Sequence, residues 1–286
     1  MTPACAPSRL AIAQIAMHWT VGDNLRAMKE ALHIAQREGA ALCAFSELAL
    51  TGFHRRIVEW ARPEVSLPAV AEVQAICRDV GVAAVLGAPT YRSDGARLNS
   101  HLFIDATGSL VGTVSKIGLT APEATFFAPG TERPMVSLLG RRCTAVICRE
   151  IEDLDTVVPD LVPSRPEWIF WPGLMSPDRT RPMIGSEQPV PEFIAQAQAL
   201  ARGVGAFVIQ TNWPNALNRP EESVNLGLSA CIDPEGRLLF RLPQDQSGVG
   251  VFDLGASQFD WHPCPLAPTP TGGGASDGGA SDGGMA

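Results

Sequence analysis

LAIAQIAM (10–17), VGDNLRAMKEALHIAQREG (21–39) and ALCAFSE (41–47) are the segments whose reading decides the fold. The first is short, apolar and bounded by polar or turn residues, which predicts an inner strand. In the second, Asp23 or Asn24 can cap a helix and Gly39 can end it. Leu25, Met28, Leu32 and Ala35 share one face of that helix. The third segment reads as another buried strand, so the chain opens β-α-β. A helix around residues 68–79 and the strand VAAVLGAP repeat the pattern.

Further along, RLNSHLFIDATGSLVGTVSK holds two strand-like stretches around Asp105-Ala106-Thr107-Gly108, a hairpin turn. Strands are expected at 135–138, 143–148 and 168–171, then a helix over about 191–202 and the strand AFVIQT. LGLSACIDPEGRLLFRL is a second hairpin, turning at Asp233-Pro234-Glu235-Gly236. Helices alternating with apolar strands, interrupted by hairpins, predict an α/β fold of mixed sheets covered by helices. The division expected is one domain over 1–266 and a tail over 267–286. That tail, rich in Gly, Ser and Asp, lacks the apolar side chains that offset ordering entropy, and it reads as disordered.

Charge and cysteine content exclude several classes of function. The formal net charge is −8, with 22 basic and 30 acidic residues and no basic cluster beyond short pairs, which argues against a nucleic-acid partner. No apolar run is long enough to span a bilayer, and the N-terminus does not read as a signal peptide. A cytoplasmic location is therefore expected. Seven irregularly spaced cysteines include no CxxC pair, and the five histidines give no metal-binding spacing with them, so no metal is expected. The first strand is followed by HWTVGDN rather than by closely spaced glycines, which argues against a dinucleotide site.

Four residues suit chemistry by their settings. Cys148 ends the apolar run CTAVIC, where a sheet can fix a nucleophile's backbone at the edge of a crevice; it is equally a candidate for a buried thiol. Glu47 ends ALCAFSE among apolar residues, a setting for a base with a raised pKa or for a structural ion pair. Lys116 closes LVGTVSK and can stabilise a thiolate and an oxyanion, although a surface lysine is the ordinary occupant of a strand end. Glu123, in TAPEATFFAPG, either orients the lysine or a water, or faces solvent.

Taken together, FSELALTG, VGTVSKIGL and AVICREIED resemble the nitrilase or carbon–nitrogen hydrolase superfamily, in its segments for the general base, the catalytic lysine and the nucleophile. Glu123 occupies the place of the family's second active-site glutamate, and ARGVGAFVIQTNW and LGLSACIDPEGRLL match later strand and hairpin regions. The chain departs from the common pattern in carrying Arg149 after the nucleophile and Ser115 before the lysine, and in lacking a Pro-Glu shortly after the nucleophile. The resemblance implies a four-layer α-β-β-α sandwich and a homodimer or larger homo-oligomer built through helical surfaces. It implies Glu47, Lys116, Cys148 and Glu123 as catalytic residues, with the backbone N–H of Arg149 at the oxyanion.

The activity implied is hydrolysis of a non-peptide C–N bond in a small amide through a Cys thioester, without metal or organic cofactor. Amidase, omega-amidase-like and N-carbamoyl amide substrates come first. A nitrilase is the alternative within the family, and a noncatalytic binding or scaffold member is the alternative outside catalysis. His54, Arg149, Trp171, Asn212 and Trp213 are the candidates for the substrate pocket. Arg149 either recognises a substrate carboxylate or pairs with Glu150, Glu152 or Asp153. The two tryptophans either pack or rim the site.

Overall fold

Alternation along the first strand sets the architecture. In β1 (Arg9–Gln14), Leu10 and Ile12 face one way and Ala11 and Ala13 the other, and all four are buried. A strand buried on both faces needs a layer on each side. The computed structural model describes residues 9–175, 192–218 and 226–264, and it supplies both layers.

The first half of the chain runs β1, α1 (Val21–Arg37), β2 (Leu42–Ala44), α2 (Ile57–Trp60), α3 (Pro63–Val80), β3 (Ala83–Tyr91), β4 (Arg97–Ile104) and β5 (Leu110–Ser115). The second runs β6 (Val136–Leu138), β7 (Arg141–Ala145), α4 (Leu154–Leu161), β8 (Trp168–Gly173), α5 (Glu192–Val204), β9 (Phe207–Asn212), β10 (Ala230–Ile232), β11 (Leu238–Arg241), β12 (Gly248–Asp253) and β13 (Asp260–Pro263). A seven-stranded sheet has the order β13-β12-β1-β2-β3-β4-β5, and a six-stranded sheet the order β11-β10-β9-β8-β7-β6. In each, three parallel strands continue into an antiparallel hairpin: β1-β2-β3 into β4-β5, and β7-β8-β9 into β10-β11.

The sheets pack face to face. Leu10, Ile12, Val85 and Phe103 from one meet Ala145, Phe170, Ile209 and Phe240 from the other. The far face of the first sheet is covered by α1 and α3 through Met28, Leu32, Val73 and Cys77. The far face of the second is covered by α4 and α5 through Val157, Leu161, Ile194 and Leu200. The result is the four-layer α-β-β-α sandwich that the resemblance implies.

The opening β-α-β and both hairpins form as expected, but α1 starts earlier than the expected cap: Thr20 caps it by accepting from the Asp23 N–H at 3.2 Å, and Asp23 and Asn24 lie inside its first turn. The two hairpin turns are also equivalent in space: each docks on the outer helix of its own half. Gln74 of α3 donates to the Gly108 carbonyl at 2.9 Å, and Gln198 of α5 donates to the Gly236 carbonyl at 2.9 Å. A Cβ on either glycine would sit 2.3 Å from the Gln74 carbonyl oxygen or 2.7 Å from that of Gln198, so both turns require glycine.

Two strand expectations are corrected. The strand expected over 143–148 ends at Ala145, with Val146 still donating to Phe170. Cys148 therefore does not end a strand but opens a 3-10 turn, Cys148–Glu152. Glu47 likewise lies beyond β2, which stops at Ala44. The tail assigned to 267–286, and the expected helix start at residue 191, lie outside the described residues. Among the described residues no helix is long and apolar enough to cross a membrane.

Candidate active site

Glu47, Cys148 and Lys116 all follow strands, where the chain leaves the ladder and its backbone is free to turn. The turns are tight. Leu48, directly after Glu47, has φ 51°, and Cys148 itself has φ 53°, left-handed values that cost a side-chain-bearing residue about 1–2 kcal/mol. Space beside Glu47 comes from Gly87 of β3, where a Cβ would lie 2.0 Å from the Leu48 nitrogen and 2.7 Å from the Glu47 carbonyl carbon.

Lys116 is fully buried and its ammonium holds two carboxylates. Nζ donates to Glu47 Oε1 at 2.8 Å and to Glu123 Oε1 and Oε2 at 2.7 and 2.9 Å. Glu123 also accepts from the backbone N–H and hydroxyl of Thr120. It is a buried partner of the lysine rather than a solvent-facing carboxylate, and Lys116 is not a surface lysine. Asn99, on β4, completes the cluster by donating to Glu47 Oε1 at 2.8 Å and to Glu123 Oε1 at 3.1 Å. The other Glu47 oxygen, Oε2, is buried and has no hydrogen-bond partner among the described residues.

One cation between two buried carboxylates leaves a surplus negative charge, and the surroundings divide it unequally. Burial raises the pKa of Glu47 above the usual carboxylate value, against the pull of Lys116 and the hydrogen bond from Asn99. Burial also acts to raise Glu123, but Lys116 and Thr120 outweigh it and hold Glu123 below the usual value. Lys116 is pushed down by burial, and the charges of Glu47 and Glu123, with that of Cys148 when it is ionised, more than reverse this, so its ammonium persists. Two carboxylates whose environments drive their pKa values apart can divide the work, one exchanging a proton and the other staying charged.

The thiol needs such a partner. Burial and the negative charge of Glu47 push Cys148 up to about 12, while Lys116 and a backbone hydrogen bond from Leu174 act the other way. The surroundings thus favour the thiol over the thiolate, so that a nucleophilic role for Cys148 requires a base.

Glu150 joins the two loops. Its Oε1 accepts from the backbone N–H groups of Ile117 and Gly118 at 2.7 and 3.1 Å, just past the lysine. Its Oε2 accepts from Ile147 N–H at 2.6 Å and from the buried Arg133 at 3.0 Å, just before the cysteine. One carboxylate thus ties the Lys116 and Cys148 turns together. Neither Asn99 nor Glu150 was a site candidate in the sequence; the available signals were the alternation of Asn99 with His101 and Phe103 along β4 and the Cys148-Arg149-Glu150 run, which resembles a nitrilase Cys-Trp-Glu.

The pocket candidates divide. Trp171 and Trp213 are fully buried, and their indole N–H groups donate to the carbonyls of Cys148 and Glu47, each at 3.0 Å, so they brace the two turns from behind. Asn212 spends its amide on the backbone of Met175 and on the Gly227 carbonyl. The Arg149 guanidinium pairs with Asp153 at 3.0 Å and lies 3.9 Å from Glu152, the ion-pair alternative of the sequence reading. His54 sits against Trp19, ring centroids 4.9 Å apart, and burial pushes its imidazole down to about 4. Among the described residues no group of three or more His, Cys, Asp or Glu side chains is arranged to hold a metal ion.

Residues 9–259 match the carbon–nitrogen hydrolase family profile. A search among curated proteins gives no match. Among solved structures, an amidase from Nesterenkonia sp. superposes with TM-score 0.72 at 23% identity, covering 89% of this chain and 93% of that one. A double mutant of the Nesterenkonia sp. AN1 amidase in complex with acrylamide gives TM-score 0.74 at 22% identity, with the same coverage. A third structure, a single mutant with the acetamide moiety of fluoroacetamide added covalently at the active-site cysteine, gives TM-score 0.73 at 22% identity, covering 89% and 92%.

Proposed function

Because the chain belongs to the carbon–nitrogen hydrolase family, we propose that it hydrolyses the C–N bond of a small linear amide, with Cys148 as nucleophile, Glu47 as general base and acid, and Lys116 at the oxyanion. The observation that carries this reading is the unpartnered Glu47 Oε2, buried in a carboxylate whose other oxygen is fixed by Lys116 and Asn99. A buried acceptor without a donor is costly unless the reaction supplies one. The acetamide adduct on the Nesterenkonia amidase's cysteine supports an amide as the substrate class.

Glu47 takes the thiol proton as Cys148 Sγ bonds to the amide carbonyl carbon, and the C=O π pair moves onto oxygen. The Lys116 ammonium and the Arg149 backbone N–H stabilise that charge. When the tetrahedral intermediate collapses, the C–N bond breaks, the nitrogen takes the proton from Glu47, and ammonia or an amine leaves a thioester on Cys148. Water then gives its proton to Glu47 as its oxygen bonds to the acyl carbon. The C–S bond breaks, and the departing sulfur recovers the proton from Glu47. Glu123 stays ionised throughout and holds Lys116 in place. Every proton is returned, so no cofactor enters the scheme.

The same reading takes 1–266 as the catalytic domain and the protein as a homo-oligomer. It is tested by ammonia release from aliphatic amides, dicarboxylic-acid monoamides, N-carbamoyl amino acids and nitriles, comparing the native chain with Cys148→Ala. Turnover of at least one amide, lost in the variant, is expected. Turnover of nitriles alone would make the protein a nitrilase, and no release from any compound by the folded native chain would overturn the reading.

A further inference from the structure

The sulfur of Cys148 has a side-chain neighbour that the chemistry above does not use. Met175 Sδ lies 3.9 Å from Cys148 Sγ, in van der Waals contact. Its backbone is clamped on both sides by one side chain, since Asn212 Oδ1 accepts from the Met175 N–H at 2.9 Å and Asn212 Nδ2 donates to the Met175 carbonyl at 2.7 Å. Asn212 is itself buried and pinned: its second amide hydrogen reaches the Gly227 carbonyl at 2.9 Å, and its backbone N–H donates to Ser229 Oγ at 2.9 Å. At Gly173 a Cβ would lie 3.0 Å from Met175 Cγ and 3.5 Å from Cys148 Cα. The methionine side chain therefore folds back over a glycine to reach the sulfur. A rigid backbone presents an unbranched, rotatable, apolar side chain against the reacting atom.

We infer that Met175 sets the size of the acyl group that Cys148 can accept, an inference that rests on Cys148 being the nucleophile. A carbon bonded to Sγ must stand inside the distance now filled by the thioether. Small acyl groups fit beside Met175, and each added methylene or branch must displace it. The Asn212 clamp prevents the backbone from retreating, so accommodation falls on the side chain alone. The substrate class selected is that of short, unbranched acyl amides, and Asn212 is a positioning residue for this limit.

Alkylation of Cys148 separates this inference from turnover. A 2-chloroamide forms an S–C bond as chloride leaves and the thiol proton passes to Glu47, so no hydrolysis is needed. Rate constants for 2-chloroacetamide, 2-chloropropanamide and 2-chlorobutanamide would be read at the Cys148 peptide by mass spectrometry in the native chain, Met175→Ala, Met175→Leu and Met175→Phe. In Met175→Ala the rate with the largest reagent relative to the smallest should rise at least about tenfold, since the two differ by two methylenes and one alone is worth about that much in an apolar pocket. The similar-sized Met175→Leu should stay within about twofold of the native ratio, and Met175→Phe should lower it. Unchanged ratios in folded Met175→Ala and Met175→Phe would overturn the inference while leaving the hydrolase reading intact. No modification of Cys148 by any reagent would overturn both. Altered ratios in a chain that hydrolyses no amide would uphold the size limit and remove only the hydrolase reading.

Discussion

Glu47 is held through one oxygen and free at the other, and this asymmetry sets how the site answers to pH. A general base acts only when ionised, and burial raises the Glu47 pKa above the usual carboxylate value. With Glu47 as the proposed base, activity should be lost as pH falls through a value above the usual carboxylate pKa, with kcat/KM dropping about tenfold for each further pH unit. The hydrogen bond from Asn99 favours the ionised form. In Asn99→Leu the acid limb of the kcat/KM profile should move to higher pH; a limb that stays in place or moves down would remove Asn99 from the site. Glu47, Lys116 and Cys148 were legible as site candidates through a resemblance, because each sits in a short, characteristic segment. Asn99 was not, because RLNSHLFID reads as a strand whichever face the asparagine takes. Only the pairing of β4 between β3 and β5 turns that face toward Lys116.

At the scale of elements, the two turns that carry Lys116 and Cys148 depend on each other through Glu150. Its four hydrogen bonds reach residues 117, 118, 133 and 147, a set of contacts without local sequence signature. Glu150→Ala leaves the buried Arg133 guanidinium with the Ala145 carbonyl at 2.7 Å and the half-exposed Asp160 at 3.5 Å, at a cost of about 3 kcal/mol, and frees both turns. The expected outcome is a melting temperature lower by roughly 10 °C, together with a fall in kcat that exceeds any change in KM. Unchanged kcat in the folded variant would show that the turns hold their places without this tie. Glycine explains another gap in the sequence reading. β12 was not recognised as a strand because Gly248 and Gly250 interrupt its pattern; they are there because Trp261 and Leu242 press on those positions, 2.5 and 2.4 Å from where a Cβ would lie. Short α4, with Pro159 inside it, gave an equally weak signal.

Over the whole molecule, the two sheets repeat one plan, but the chain does not divide cleanly between them. β12 and β13 come from the end of the chain, yet they belong to the first sheet, where β12 pairs with β1 from Arg9↔Asp253 to Gln14↔Gly248. A chain ended at residue 247 loses this cover and exposes one edge of β1 together with Val249 and Val251's share of the core under α1. It is expected to aggregate or to melt without cooperativity in calorimetry, whereas removal of 267–286 should leave both the melting temperature and the activity unchanged. A soluble, cooperatively melting chain ending at 247 would show that β1 needs no partner on that side.

The pairing of the first strand with nearly the last also sets a timetable. As the polypeptide emerges from the ribosome, β1, β2 and β3 can associate early, but the open side of β1 has to wait until residue 253 has been translated and has cleared the exit tunnel. Until then the nascent chain carries an unpaired β1 edge, so the first sheet is completed only once β12 has emerged.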